Sequence, residues 1–272
     1  MATVLSPALY AILGALVEER TGLHYGEREI ELFSSKVMAT AFDRGFDSAL
    51  DYYYALRYDD PDHRALDTLC EALVVNETYF FREADQLATL CDAMLAPLVA
   101  AGKRPRVWCA AAASGEEPLT LEMLLHERGF ARQVEVVASD ISAKALARAA
   151  EGVYSQRSLR AIPAEAAARW FHREGDRFAV RRELVESITW RRVNLVDTAA
   201  IAELGAFDAV LCRNVLIYFA EQTIREVVET LAIALRPGGH LLVGASESLM
   251  RFGTLLVCEE REGSFFYVKA TA

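Results

Sequence analysis

Two kinds of hydrophobic spacing divide the chain. Up to about residue 95, apolar side chains such as Leu5, Leu9, Ile12, Leu13, Leu16 and Val17 recur every three or four positions, the spacing that gathers them on one face of a helix. Turn formers cluster at Thr21-Gly22, Arg44-Gly45 and Asp59-Asp60-Pro61-Asp62, so helices separated by short breaks are predicted. From Arg106 the pattern changes to short apolar runs that end in polar residues: RVWCAAAAS, VEVVASD, ITWRRVNL, DAVLCRN and HLLVGAS. Such runs alternating with helices predict a mostly parallel sheet covered on both faces. LLVCEE, a turn at Arg261-Glu262-Gly263-Ser264 and FFYVKA then predict a terminal hairpin that adds an antiparallel strand. Between residues 152 and 187 the alternation breaks: a short helix from Pro163 to about Phe171 is followed by Arg177-Phe178-Ala179-Val180-Arg181, spaced like a half-exposed strand, which marks a small insertion.

Composition narrows the class. Over 272 residues, 53% are hydrophobic and 25% charged, and Gly and Pro number only 15 and 7, which excludes disorder and loop-rich scaffolds. The 39 acidic residues outnumber the 29 basic ones and leave a formal charge of −10, which argues against a nucleic-acid partner because phosphate contacts depend on Lys and Arg. Cys70, Cys91, Cys109, Cys212 and Cys258 are odd in number and contain no C-x-x-C pair, so neither a disulfide framework nor a zinc site is expected. His24, His63, His126, His172 and His240 are too dispersed for ligand spacing, and no metal is indicated. The apolar N-terminal stretch lacks a basic lead, and no segment approaches the roughly 20 apolar residues of a membrane span. The expectation is an unprocessed cytoplasmic protein with no membrane insertion.

In open α/β sheets, ligands bind beyond the carboxyl ends of the strands, so the residues after each apolar run carry the chemistry. The first run leads into Ala110-Ala111-Ala112-Ala113-Ser114-Gly115-Glu116-Glu117-Pro118, a small-residue loop opening a helix. It holds one glycine and two glutamates where a pyrophosphate would want positive potential, which disfavours NAD and favours hydroxyl or ammonium groups. Asp140 ends the second run; it reads equally as an acceptor for ribose hydroxyls or as part of a cap on the following helix. Together these features favour a nucleoside without phosphates, and S-adenosylmethionine is the commonest such cofactor on this architecture. Gly244-Ala245-Ser246-Glu247-Ser248 lacks the final glycine of G-x-S-x-G and a histidine partner, so a serine hydrolase is not expected.

Four segments, in order, resemble the chemotaxis receptor methyltransferases of the CheR family: VVNETYFFRE (74–83), AASGEEP (112–118), Asn194-Leu195 and CRNVLIYF (212–219). The resemblance implies a class I S-adenosylmethionine-dependent methyltransferase, Rossmann-like, with a mostly parallel seven-stranded sheet and a C-terminal antiparallel hairpin. It implies an all-α N-terminal domain over 1–75, a linker and connecting helix over 76–105, and a methyltransferase domain over 106–272 carrying a small antiparallel β subdomain at about 172–187. The implied activity is protein-glutamate O-methyltransfer to the cytoplasmic helices of chemoreceptors, with S-adenosylhomocysteine as product. Carried over by motif position, cofactor contacts fall on Asn76, Thr78, Arg82, Glu117, Asp140, Asn194, Leu195, Arg213 and Asn214, and substrate-side roles on Arg82 and Tyr218.

Read without the resemblance, several of these residues have plainer roles. Asn76 and Thr78 suit caps of a helix beginning near Phe80, Glu117 suits the helix dipole, and Tyr218 suits an aromatic packed beside Phe219. Transfer from a sulfonium to a carboxylate needs no general base, since glutamate is ionised at pH 7, so the lack of a histidine constellation is expected. A non-catalytic S-adenosylmethionine-binding sensor or scaffold in a chemosensory array is the alternative reading.

The chain departs from the family pattern in three places. Ser114 and Leu119 stand where a threonine and a tyrosine are usual. The usually basic helix at 34–45 holds only Lys36 and Arg44, with Asp43 between, and residues 1–70 carry six basic and twelve acidic side chains. The insertion is shorter and poorer in glycine than in members that hold a receptor tethering peptide, so independence from such a tether is expected.

Overall fold

In the computed structural model, which describes residues 4–271, the chain divides into two units: residues up to Val75 together with Tyr218–Thr223, and Asn76–Ile217 together with residues from Ile224 onward. The first unit is helical, with α1 (Pro7–Thr21), α2 (Ile30–Asp43), α3 (Ala49–Tyr58) and α4 (Arg64–Leu73). Its helix ends follow the turn formers read from the sequence. Ser6 and Ser48 cap α1 and α3 through their hydroxyls, α1 stops at Gly22 in the left-handed region, and both carboxylate oxygens of Asp60 accept from Ala65 and Leu66 at the start of α4. Leu13, Val17, Phe33, Val37, Tyr52, Leu69 and Leu73 are sealed from solvent between these helices, and each of the Leu, Val and Phe side chains contributes roughly 1.5–3 kcal/mol on burial. Residues 218–223 join this unit through an antiparallel bridge of Phe219 to Leu23, with the His24 amide donating to the Tyr218 carbonyl at 2.8 Å.

The second unit begins with irregular chain at 76–79. The helix expected near Phe80 starts later: residues 80–83 are turns with Phe81 and Glu83 at positive φ, and regular helix begins at Ala84. It runs to Ala100 through a wider π turn at Leu90–Leu95, and Leu87, Leu90, Cys91 and Leu95 bury against this unit's sheet core, so the connecting helix is part of the second unit.

The sheet contains β1 (Arg106–Ala110), β2 (Glu135–Asp140), β6 (Ile188–Arg192), β7 (Phe207–Cys212), β8 (Leu235–Val243), β9 (Leu256–Arg261) and β10 (Ser264–Lys269); β3 (Val153–Tyr154), β4 (Phe171–Glu174) and β5 (Arg177–Val180) form a separate three-stranded sheet. The seven strands run β6-β2-β1-β7-β8-β10-β9, parallel from β6 to β8, with β10 antiparallel to both β8 and β9. Val107, Cys109, Val136, Ala138, Ala209 and Leu211 are buried among helices, which explains why the parallel strands read as continuous apolar runs. The inserted sheet reaches back to Val153, ahead of the expected start near 172. Period-2 alternation is invisible in a two-residue strand, so β3 left no signal.

One buried residue conflicts with its surroundings. Glu122, on the helix Glu116–Glu127, is fully buried and neither carboxylate oxygen has a hydrogen-bond partner of normal geometry. Burial pushes its carboxyl up from 4.5 to about 7, with Ser187 only partly offsetting this. Between those values the folded protein keeps a proton that the unfolded chain releases, so stability falls as pH rises through this window. Glu122→Gln is expected to match the parent at pH 4.5 and to exceed it at pH 8 by about 3 kcal/mol, measured by urea unfolding at each pH.

Candidate functional site

The parallel order β6-β2-β1-β7 aligns four carboxyl ends on one edge of the sheet, with the chain leaving β1 and β7 to opposite sides, the place where such folds open a crevice. After β1 the backbone takes left-handed conformations at Ala111 (φ 57°), Ala113 (φ 47°) and Gly115 (φ 91°). For alanine this is strained, and the fold holds it by a carboxylate: Asp140 Oδ2 accepts from the Ala113 amide at 2.8 Å while Oδ1 accepts from Ser142 at 2.8 Å. Gly115 is required twice over, by its φ and because a Cβ there would sit 2.8 Å from both Ala149 Cβ and Trp190 Cη2. The cap on the helix after β2 is Ser142, whose hydroxyl accepts from Ala145 at 3.0 Å, so Asp140 ties two loops together at 6% exposure.

At the end of β7 stands Arg213, with its side chain 1% exposed. Nη1 donates to Glu117 Oε2 at 2.7 Å, and Nη2 donates to Glu83 Oε2 at 2.8 Å and to the Arg82 carbonyl at 3.1 Å. One guanidinium thus joins β7, the helix after β1 and the segment at 76–83. Burial pushes the Glu117 carboxyl up and the nearby Arg213 charge opposes this; burial also acts against the Arg213 charge, but Glu117 and Glu83 together hold its pKa above the ordinary arginine value.

Asn214 follows at φ 58°, its amide donating to Glu247 Oε2 at 2.6 Å. The same carboxylate accepts from Gly244 at 2.8 Å and Ile217 at 3.2 Å, clasping the loops after β7 and β8. A Cβ on Gly244 would meet Asn214 Nδ2 at 2.5 Å. Asn194 and Leu195 follow β6 beside Asp140; Asn194 Oδ1 accepts from Val196 at 3.3 Å, the Asp140 carbonyl accepts from Val193 at 3.1 Å, and Leu195 is buried. Asn76 and Thr78 are half-buried on the irregular segment, and Arg82 Nη1 donates to the Glu77 carbonyl at 3.3 Å. Phe80 is core, edge-on to Tyr154 and Phe171 at 4.7 and 4.9 Å. Tyr218 belongs to the first unit and packs against its helical core, next to Phe219.

Sequence reasoning missed Glu83 and Glu247. Glu83 directly follows Arg82 and looked like one more helix residue; only the left-handed turn at 83 aims it at Arg213. Glu247 lay inside the segment set aside with the hydrolase motif, although a glutamate three residues after a strand-ending glycine is well placed to accept backbone amides. Among the described residues no three His, Cys, Asp or Glu side chains are grouped to hold a metal ion.

The strand ends offer carboxylates at Glu117 and Asp140, side-chain amides at Asn194 and Asn214, and a loop stripped of side chains by Ala111, Ala113 and Gly115. Arg213 is enclosed by two carboxylates and is unavailable to a phosphate. This set fits a nucleoside bearing hydroxyl and ammonium groups. Fold and site together define a class I S-adenosylmethionine-dependent methyltransferase. Residues 76–261 match the model of the CheR methyltransferase, SAM binding domain, and the chain belongs to this family. It is 34% identical over 224 residues to chemotaxis protein methyltransferase 2 of Vibrio cholerae, spanning 80% of this chain and 77% of the relative. It is 40% identical over 187 residues to the chemotaxis protein methyltransferase of Vibrio parahaemolyticus (66% and 67% of the two chains), and 31% over 250 residues to chemotaxis protein methyltransferase 1 of Pseudomonas aeruginosa (88% and 90%). The protein is a methyltransferase and its cofactor is S-adenosylmethionine.

Removing the Arg213 charge strands two carboxylates, one of them 15% exposed. Arg213→Met is expected to lose about 3 kcal/mol of stability, and Arg213→Met with Glu117→Gln to recover part of it, read by urea unfolding at pH 7.

Proposed function

We propose that this enzyme methylates glutamate side chains on the cytoplasmic helices of chemoreceptors, forming 5-O-methyl esters in the cytoplasm, where those helices lie. The observation that carries this reading is the segment 76–83, where Arg82 sits on a turn anchored by Glu83 and Arg213 at the strand ends that hold the methyl donor. Bound there, S-adenosylmethionine supplies an electrophilic methyl group on a sulfonium. The relatives named above are chemotaxis methyltransferases, which supports a chemosensory substrate.

In this proposal Glu117 receives the ammonium of the cofactor and Asp140 its ribose hydroxyls. Asn76, Thr78, Asn194, Leu195, Arg213 and Asn214 complete the pocket, with Arg213 acting through the carboxylate it orients. Arg82 presents its planar donors to the substrate carboxylate and sets the angle of approach. A tight bidentate pair would also stabilise the ionised substrate, so the role of Arg82 is alignment, and Tyr218 adds a hydroxyl on the substrate side. Attack by a carboxylate on a sulfonium methyl consumes one anion and one cation, so the residues need to align the reactants and exclude water, not to move a proton.

Label transferred from the cofactor to receptor is expected to be released by mild alkali, and Arg82→Ala is expected to lower kcat/KM about 100-fold. Alkali-stable label would overturn the ester.

Independence from a receptor tethering peptide is proposed from the short, glycine-poor insertion; the exposed edge strand β4 is where such a peptide would add. Calorimetric titration with a receptor C-terminal pentapeptide is expected to show no saturation in the micromolar range, and a micromolar Kd would overturn that independence.

A further inference from the structure

The first unit is acidic, and the two cations of its second helix are occupied. On α2, the Lys36 ammonium is drawn to the Leu73 carbonyl at 3.3 Å, with burial lowering its pKa, and Arg44 donates to the Thr68 hydroxyl at 2.7 Å. The positive charge of the chain lies elsewhere. Residues 141–192 hold eleven of the 29 basic side chains and six of the 39 acidic ones, a net of +5, leaving −15 on the rest.

Part of that charge gathers beside Arg82. The Phe80 amide donates to the Ser158 carbonyl at 2.9 Å, which lays the turns at 155–160 along the segment 76–83. Arg157 Nη2 then lies 2.8 Å from Glu77 Oε1 and Arg160 Nη2 lies 3.6 Å from the same oxygen. The Arg160 guanidinium stacks over the Tyr79 ring at 3.7 Å, and Arg82 lies 5.7 Å from that ring. Three guanidinium groups therefore surround one exposed carboxylate. The Arg157 side chain is 74% exposed, and the cations hold the Glu77 carboxyl below its usual range.

We infer that Arg157 and Arg160, with Tyr79, form a docking surface for the acidic helix that carries the substrate glutamates, and that it replaces a basic first unit in drawing the receptor to Arg82. This rests on the proposed function above. Charge complementarity selects the occupant: a segment bearing several glutamates is a string of carboxylates, and planar guanidiniums held by Glu77 and Tyr79 are arranged to receive them at little entropic cost. Glu77 fixes the two arginines without neutralising the cluster. Exposed pairs of this kind steer encounter and weaken with salt, so the surface acts on KM and its ionic-strength dependence.

The test is receptor methylation by the full chain carrying Arg157→Glu and Arg160→Glu together. The receptor KM is expected to rise about tenfold at low salt and to lose most of its salt dependence, with kcat at saturating receptor and the Kd for S-adenosylmethionine unchanged. Lys103→Glu with Arg104→Glu, the same charge change on the exposed turn before β1, is the control and is expected to keep the parental KM. An unchanged KM in the first variant, or an equal rise in the control, overturns the docking surface. Tight binding of a single-stranded oligonucleotide that depends on Arg157 and Arg160 while receptor KM stays parental assigns the patch to nucleic acid and overturns it as well. A parent enzyme that transfers no methyl to any receptor overturns the proposed function itself, and the docking surface with it.

Discussion

The buried guanidinium of Arg213 is the interaction on which the site is built. It stands at the end of a central parallel strand, where water is excluded, and its charge is tolerable only because Glu117 and Glu83 meet it directly. Each carboxylate brings a different part of the chain: Glu117 the first turn of the helix after β1, Glu83 the turn that carries Arg82. A third contact, to the Arg82 carbonyl, fixes the backbone of that turn. Two neutral residues in place of such a pair would often be as stable, so the geometry this arrangement enforces, more than its net energy, explains why a methyltransferase keeps charges here.

Around that centre, carboxylates are used as backbone clasps. Asp140 binds two amides from the loops after β1 and β2, and Glu247 binds three from the loops after β7 and β8. These clasps hold Ala113 and Asn214 in left-handed conformations, strained for alanine and readily adopted by asparagine. The strain keeps side chains out of the path of a ligand approaching the β1 loop. Because the holders are anions, the pocket has negative character suited to a sulfonium cofactor and hostile to pyrophosphate.

The parallel strands were legible because burial on both faces writes them as unbroken apolar runs, and helix limits in the first unit because Gly22 and Asp60 act locally through φ or a cap. What could not be read depended on contacts distant in sequence. Glu83 reaches Arg213 across 130 residues, and Glu247 reaches Asn214 across 33. The apparent helix start at Phe80 failed for the same reason: Phe81 and Glu83 take positive φ, and the turn at Glu83 is held by Arg213, 130 residues away. The acidic loop 114–117 pointed correctly to S-adenosylmethionine because exclusion of phosphate is a property of the local charges themselves.

The net charge of −10 conceals a division of labour. Buried acid in the second unit, at Glu116, Glu117, Asp140 and Glu247, is consumed by hydrogen bonds and ion pairs and contributes little field at the surface. The arginines of residues 141–192 project more, since Arg157, Arg177, Arg181 and Arg182 are all exposed. An approaching polyanion responds to the exposed charges within about a Debye length, roughly 8 Å at physiological salt, and not to the total. An enzyme that is acidic overall therefore presents a cationic face beside the residue proposed to align its substrate carboxylate. Cofactor selection follows from the first set of charges and, in the proposed function, substrate approach from the second.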